Sequence, residues 1–358
     1  MNLHNLKFWS RKGVILEQKK EPALSRDLQQ FFSSQPTSAT AEALKEGEAV
    51  TLERLIRLSE EANIIDEQDG KPLAKILRKW LTKPCNRIVA DAIDDEPYVS
   101  SQTNPMMKLS ADAAYGLRLL QTALQPKSAE FAVYKEMYYL NCRIPTKIEE
   151  FPVRKMGGKY PMEKRAVRRL GDDVLTVGVC ALIHLARAAK EGTVQSSCFV
   201  TVAGNCIGNP ANLEVTIGTP VSALIDRCGL ITDPTYLAIG SAMKGIAVLD
   251  ADNTLVRPNT NAIIAIKESK PNLRRMDCIG CGRCLEVCPE GLNPMELYRM
   301  ISVNRRESAK LLGMDRCIGC AACSYICPSR LELCEMIQSR KEKWNCNKQE
   351  VKGNENER

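Results

Sequence analysis

The chain has 358 residues, enough for two or three domains with buried cores. Hydrophobic residues make up 44% of it, yet no apolar run approaches the ~18–20 residues that cross a bilayer, and residues 1–20 carry charges without the apolar stretch of a signal peptide. The net charge of +7 is dispersed, with no aromatic-interleaved basic stripe for nucleic acid, and two histidines (His4 and His184) leave almost no material for histidine-based zinc catalysis or a Ser–His–Asp triad.

Residues 1–50 form a poorly defined extension, with a short helix over 22–32 and a small, polar linker over 33–40. Thr51 is placed to cap a helix carrying Leu52, Leu55 and Ile56. A second helix opens at Pro72, with Leu73, Ile76, Leu77, Trp80 and Leu81 on one face. A strand over 87–90 ends in the acidic turn Asp91-Ala-Ile-Asp-Asp-Glu-Pro-Tyr98. Ser110 caps a helix through 124, and strands follow over 130–135 and 151–154. Pro161 opens a helix to 170, and a strand over 175–177 feeds an apolar helix over 179–189 that holds His184. This alternation builds an α/β layer over 51–195 with a mainly parallel sheet, whose ligand site lies at the carboxyl ends of strands, where the acidic turn falls.

From residue 196 to 268 the texture changes. A strand over 198–203, the turn Gly204-Asn-Cys-Ile-Gly-Asn-Pro210, a returning strand over 213–217 and a helix begun by Thr219-Pro220 read as a small β-grasp module. Further strands are expected over 236–239 and 246–249, and 262–266 leads onward.

Two cysteine runs follow, Cys278-x-x-Cys281-x-x-Cys284-x-x-x-Cys288-Pro289 and Cys317-x-x-Cys320-x-x-Cys323-x-x-x-Cys327-Pro328. Each has the spacing of a bacterial ferredoxin loop, in which the fourth cysteine crosses to the other cluster. One [4Fe-4S] cluster is therefore expected on Cys278, Cys281, Cys284 and Cys327, and the other on Cys317, Cys320, Cys323 and Cys288. Gly280, Gly282 and Gly319 would let the backbone wrap round the clusters. Zinc knobs and disulfides are the alternatives; zinc takes separated CxxC pairs without the fourth Cys–Pro, and disulfides do not favour such dense repeats. The other eight of the 16 cysteines, Cys334 and Cys346 among them, are scattered without pairing logic, which points to a reducing cytoplasm. An amphipathic helix through Leu331, Leu333, Met336 and Ile337 closes a cluster domain over 269–340. A polar tail over 341–358, disordered from 345, is expected beyond it.

The order of parts resembles the C subunit of the Rnf electron-transport complex and its relatives, including the flavin subunit of respiratory complex I and cobalamin reductase of propanediol microcompartments. Asp94 with Glu96-Pro97-Tyr98, Gly158-Lys159-Tyr160-Pro161 with Glu163-Lys164, Val200-Thr-Val-Ala-Gly204, Asn209-Pro210, Ile217-Gly-Thr-Pro-Val-Ser222 and the paired cluster loops carry the resemblance, over about 52–340. It implies a complex I flavin-subunit-like α/β sandwich, then a β-grasp (SLBB) module, then a two-[4Fe-4S] ferredoxin-like helical domain. It also makes Glu96, Lys159 and Tyr160 candidates for a residual flavin or nucleotide pocket.

The sequence departs from the family where FMN would sit. The family's glycine-rich loop offers bare backbone N–H groups to the phosphate. Here the equivalent stretch is Ile64-Ile65-Asp66-Glu67-Gln68-Asp69-Gly70-Lys71-Pro72, and Asp91 stands where the family has Asn. Carboxylates beside a phosphate repel it by on the order of 1 kcal/mol or more each. The first reading is thus an electron-transfer protein that relays single electrons through two [4Fe-4S] clusters, from a low-potential donor to a partner such as a ferredoxin, a flavodoxin or a reductase complex. It would be cytoplasmic or peripheral to a membrane complex or microcompartment. The alternatives are an FMN-dependent NADH dehydrogenase and an SLBB ligand-binding module with structural clusters.

Overall fold

The computed structural model describes residues 40–68, 70–135, 144–158, 160–161, 170–267 and 275–355, with 345–355 as backbone only. The helix expected over 22–32 lies outside them, as does most of that expected over 161–170.

Among the described residues the first element is α1 (Leu52–Glu61), whose first turn is closed by Thr51 Oγ1 accepting the Arg54 N–H at 3.2 Å. Leu55 and Leu58 on its inner face are fully buried. A two-stranded hairpin, β1 (Ile65–Asp66) and β2 (Lys71–Pro72), turns at the acidic loop and runs into α2 (Leu73–Arg78). That helix is shorter than its apolar spacing predicts. Leu81 falls beyond it and is 46% exposed, because Pro84 disfavours helical backbone just ahead of it.

The first sheet has the order β5-β6-β4-β3-β7, with β3 (Arg87–Ala92), β4 (Ser128–Tyr134), β5 (Lys147–Ile148), β6 (Phe151–Met156) and β7 (Val174–Gly178). Four strands are parallel and β5 is an antiparallel edge, so the expected mainly parallel α/β layer is present. Helices α3 (Thr103–Lys108), α4 (Ser110–Leu124) and α5 (Val179–Glu191) accompany it. Ser110 is inside α4 rather than its cap, because α3 runs almost directly into that helix through Leu109. Helices α4 and α5 cross closely at Gly116, where an added Cβ would lie 2.1 Å from the Leu182 carbonyl oxygen.

The second sheet has the order β11-β10-β12-β8-β9. Its strands are β8 (Ser197–Ala203), β9 (Ala211–Thr216), β10 (Tyr236–Ile239), β11 (Ile246–Ala247) and β12 (Ala262–Ile266), with α6 (Val221–Cys228) packed against them. The strand expected over 246–249 shrinks to two residues. Strand β12 is not merely a lead into the cysteine region; it is the fully buried centre of this sheet, parallel to β8 and antiparallel to β10.

The cysteine region is helical: α7 (Arg283–Val287), α8 (Pro294–Ser302), α9 (Arg306–Leu311), α10 (Ala322–Ile326) and α11 (Leu333–Glu355). Asn293 caps α8 by accepting the Glu296 N–H at 3.2 Å, with Pro294 in the first helical position. Helix α11 corrects the expected disordered tail. It continues to Glu355, although Asn345, Asn347, Gly353 and Asn354 are weak helix formers, which is why the sequence reads as a tail there.

Candidate metal centre

The two cysteine runs fold as a pseudo-repeat, each a tight loop followed by one turn of helix, α7 and α10. Gly280 (φ +67), Gly282 (+71) and Gly319 (+69) adopt the left-handed backbone that these loops need. The fourth equivalent position, four residues after Cys317, is Ala321, held at φ +59 in the same region. Left-handed backbone at a residue with a Cβ costs ~1–2 kcal/mol, so the loop imposes this shape rather than the residue.

The last cysteine of each run lies with the opposite run. Cys327 joins Cys278, Cys281 and Cys284 around a cavity of about 200 Å³, walled also by Ile279 and Leu285. Cys288 packs with Cys317 in a separate apolar cluster and lies within electrostatic reach of the Cys320 thiol. Cys323 stands beside Cys334, whose thiol contacts both Cys317 and Cys323. Among the described residues no three such side chains converge at single-ion distance; the first four thiols ring a cavity instead. The two sets differ in access: Cys281 of the first is exposed, whereas Cys320 and Cys323 of the second are buried.

One contact among the described residues joins the second set to the rest of the chain. Glu96, from the acidic turn after β3, pairs with Lys244 of the second sheet's loop, with Glu96 Oε1 2.5 Å from Nζ. The half-buried Tyr160 donates its hydroxyl to the same oxygen at 2.8 Å and lies 3.1 Å from the Cys320 carbonyl oxygen. Tyr236 stands nearby, its phenol pushed up to about 12 by burial and then by the Glu96 charge. Lys159 lies outside the described residues. The expected pocket residues Glu96 and Tyr160 are thus together, and Glu96 is held across domains rather than locally.

The acidic turn is also an internal scaffold. Asp94 accepts the backbone N–H groups of Gln102 (3.1 Å) and Thr103 (2.7 Å), and burial outweighs these bonds to raise its carboxyl to about 6. Ser100, next along, donates its N–H to Thr201 Oγ1 at 3.1 Å, which docks the β8 strand here. Replacing Tyr160 by Phe removes one hydroxyl from this junction. It is expected to lower the unfolding temperature by the equivalent of about 1–2 kcal/mol, read by thermal unfolding under anaerobic conditions.

The acidic loop does not fit a phosphate. Asp66 turns inward, where Oδ2 accepts the Gly178 N–H at 2.8 Å and Oδ1 accepts the Gln68 N–H at 3.0 Å. Gly178 caps α5, so the helix N-terminus that could receive an anion already faces a carboxylate of the chain. The carboxylate also fills the space beside the glycine, for a Cβ there would sit 2.6 Å from Asp66 Oδ1. Glu67 is buried with no donor in good hydrogen-bond geometry; its nearest are the Cys180 thiol and the Phe199 N–H. His184 Nε2 is 3.6 Å from Glu67 Oε1. Burial pushes the Glu67 carboxyl well above the usual range and holds His184 down to about 4. An FMN phosphate would meet carboxylates here where it needs bare backbone donors.

Sequence reasoning missed Lys244, which no motif marks and which only the packing of the second sheet against the acidic turn brings to Glu96. It also left Cys334 without a role.

Comparison with known proteins bears on the same regions. Residues 199–246 match the SLBB domain family, and residues 263–331 match the 4Fe-4S dicluster domain family. The C subunit of the ion-translocating oxidoreductase complex of Rhodobacter capsulatus is 29% identical over 249 residues, covering 63% of this chain and 47% of that one. The C subunit of the Na(+)-translocating ferredoxin:NAD(+) oxidoreductase complex of Acetobacterium woodii is 24% identical over 235 residues, covering 60% and 53%. The chain thus spans about half the length of these relatives. Among solved structures, NAD+-reducing [NiFe]-hydrogenase in its H2-reduced state superposes with a TM-score of 0.55 at 11% identity, over 81% of this chain and 61% of the matched one, a likeness of fold. Among the described residues no helix is long and apolar enough to cross a membrane.

Proposed function

We propose that this chain, which belongs with the RnfC-like proteins in joining an SLBB domain to a 4Fe-4S dicluster domain and is a distant homologue of the Rnf C subunit, is the iron–sulfur electron-transfer subunit of an Rnf-like complex. The dicluster domain implies two [4Fe-4S] clusters. One is held by Cys278, Cys281, Cys284 and Cys327, and the other by Cys317, Cys320, Cys323 and Cys288. The observation that carries this reading is the cavity of about 200 Å³ lined by the first three cysteines of one run and the last of the other.

The clusters supply one-electron carriers; the chain's residues set where electrons enter and leave. The second set sits inside, against Tyr160 and within reach of Lys244. The first set opens outward at Cys281, where the exposed side chains of Ile279 and Leu285 line the same cavity. Such an apolar collar round an exposed ligand is where the redox centre of a partner, a ferredoxin, a flavodoxin or a neighbouring subunit, could approach closely. The chain would sit peripherally on the complex, on the reducing side of the membrane.

A second reading is supported by the contact of Tyr160 with the Cys320 loop. A flavin or nicotinamide bound beside Glu96 would lie next to the inner cluster, and the chain would then be an FMN-dependent NADH dehydrogenase. Anaerobic protein decides between them when iron, acid-labile sulfide and released flavin are assayed on one sample. About eight iron and eight sulfide per chain without flavin supports the relay. Stoichiometric FMN with bleaching by NADH would overturn it in favour of the dehydrogenase. Clusters that neither reduce nor reoxidise would overturn both.

A further inference from the structure

Helix α11 turns polar side chains toward one of the two cysteine sets, while its first residue, Leu333, lines the cavity of the other. Gln338 places Nε2 3.1 Å from Cys317 Sγ and 3.4 Å from the Cys317 carbonyl oxygen. One turn on, Lys341 Nζ donates to the carbonyl oxygens of Asp315 at 2.7 Å and Cys317 at 2.9 Å. One turn back, the buried Cys334 brings its thiol against Cys317 and Cys323, and its own N–H is held by Ser324 Oγ at 2.8 Å. These three residues, at spacings of four and three, form one stripe of the helix facing the second cysteine run. The loop is shaped to admit them: at Gly319 (φ +69) an added Cβ would lie 3.3 Å from the Gln338 side-chain amide carbon. On the other set, Cys278 Sγ accepts the backbone N–H of Gly280 at 3.4 Å, a donor that comes with the loop itself.

We infer that the stripe Cys334–Gln338–Lys341 sets the reduction potential of the inner cluster and raises it above the value the cysteines alone would give. Taking up one electron adds one negative charge to a cluster and its thiolates. A hydrogen bond to a ligand sulfur and a nearby ammonium favour that reduced form, the half-exposed Lys341 ammonium acting through a field that salt screens in part. Burial without such donors disfavours the added charge. The stripe therefore offsets the depth at which the inner set lies and keeps that cluster reducible. In the relay this makes the inner cluster an electron sink as seen from the exposed one, or an acceptor for a donor at the Glu96 pocket. The inference rests on Cys317 being a ligand of that cluster. Iron loss in Cys317→Ser tests that ligation separately, so the two failures are distinguishable.

The test is a redox titration of the full anaerobic chain, followed by electron paramagnetic resonance, with Cys281→Ser serving to identify the signal of the inner cluster. Gln338→Leu and Lys341→Gln are each expected to move the midpoint of the inner cluster downward and leave that of the outer cluster in place. Lys341→Arg, which keeps the charge, and Cys334→Ser, which keeps a donor, are expected to stay near the parent value. Should Gln338→Leu shed iron, Lys341→Gln and the salt dependence of the midpoint still report. Full iron content with an unchanged inner midpoint in both Gln338→Leu and Lys341→Gln would overturn the inference, as would an equal shift of both clusters.

Discussion

Replacing Cys327 by Ser is expected to empty the site of the other run, releasing about four of the eight iron while the cluster on Cys317, Cys320 and Cys323 remains. The prediction is counter to sequence proximity, since Cys327 is four residues from Cys323 and far along the chain from Cys281. It follows from the cavity that Cys327 shares with Cys278, Cys281 and Cys284, and from the packing of Cys288 and Cys317 against one separate apolar cluster, with Cys288 within electrostatic reach of the Cys320 thiol. Double variants make it sharp. Cys281→Ser with Cys327→Ser should lose no more iron than either change alone, because both strike one cluster. Cys281→Ser with Cys288→Ser should lose both clusters and, with them, much of the packing of α7 against α10. Iron and sulfide analysis with the absorption spectrum reads all four variants. The opposite pattern, in which Cys281→Ser with Cys288→Ser spares one cluster, would mean that each run holds its own.

The cysteine runs were legible because ligand chemistry leaves no freedom. Thiolates on a cubane must be spaced to the residue, and the turn between them needs glycine, so composition and spacing carry the geometry directly. Ala321 marks the limit of that logic, for it adopts the left-handed backbone without glycine as its signal. The parallel sheet was legible too, since buried strands alternating with amphipathic helices have few other ways to bury their apolar faces. What escaped was long-range. Strand β12 looks like any short apolar segment, and only the pairing of Ile263 with Val202 and with Ile239 makes it the middle of a sheet. Lys244 reaches Glu96 through a domain contact with no local pattern. The carboxylates of the acidic loop are visible in the sequence, but the direction they face is not. In the fold Asp66 turns to the N-terminus of α5, so the element that repels a phosphate is also a structural one.

That inward turn leads to the second large effect, in the stability of the α/β domain against pH. Glu67 and His184 face each other at 3.6 Å in the dry interior, with Asp66, Cys180 and, across the sheet edge, Arg187 and Glu214 as the groups around them. Burial raises the Glu67 carboxyl well above the ordinary 4.5, so the folded chain holds a proton there that the unfolded chain releases. From about pH 4.5 upward this group therefore costs stability, by about 1.4 kcal/mol per pH unit until its folded-state value is reached. His184 has the opposite sign. Its folded-state value is lowered from 6.5 to about 4, so the unfolded chain binds the extra proton, and stability falls as pH drops through that window.

Between about pH 4.5 and 6.5 the two slopes cancel, and the pair contributes a plateau that declines on both sides. Glu67→Gln keeps shape and removes the proton exchange. It is expected to leave stability near pH 4.5 almost unchanged and to give the variant an advantage that grows as pH rises from there. Because the clusters suffer at acid pH in parent and variant alike, the difference between the two is the quantity to follow, by thermal or denaturant unfolding of anaerobic protein at several pH values. A variant advantage that stays constant from pH 5 to pH 8 would mean that the folded pair holds no proton in that range, with Glu67 ionised beside a neutral His184.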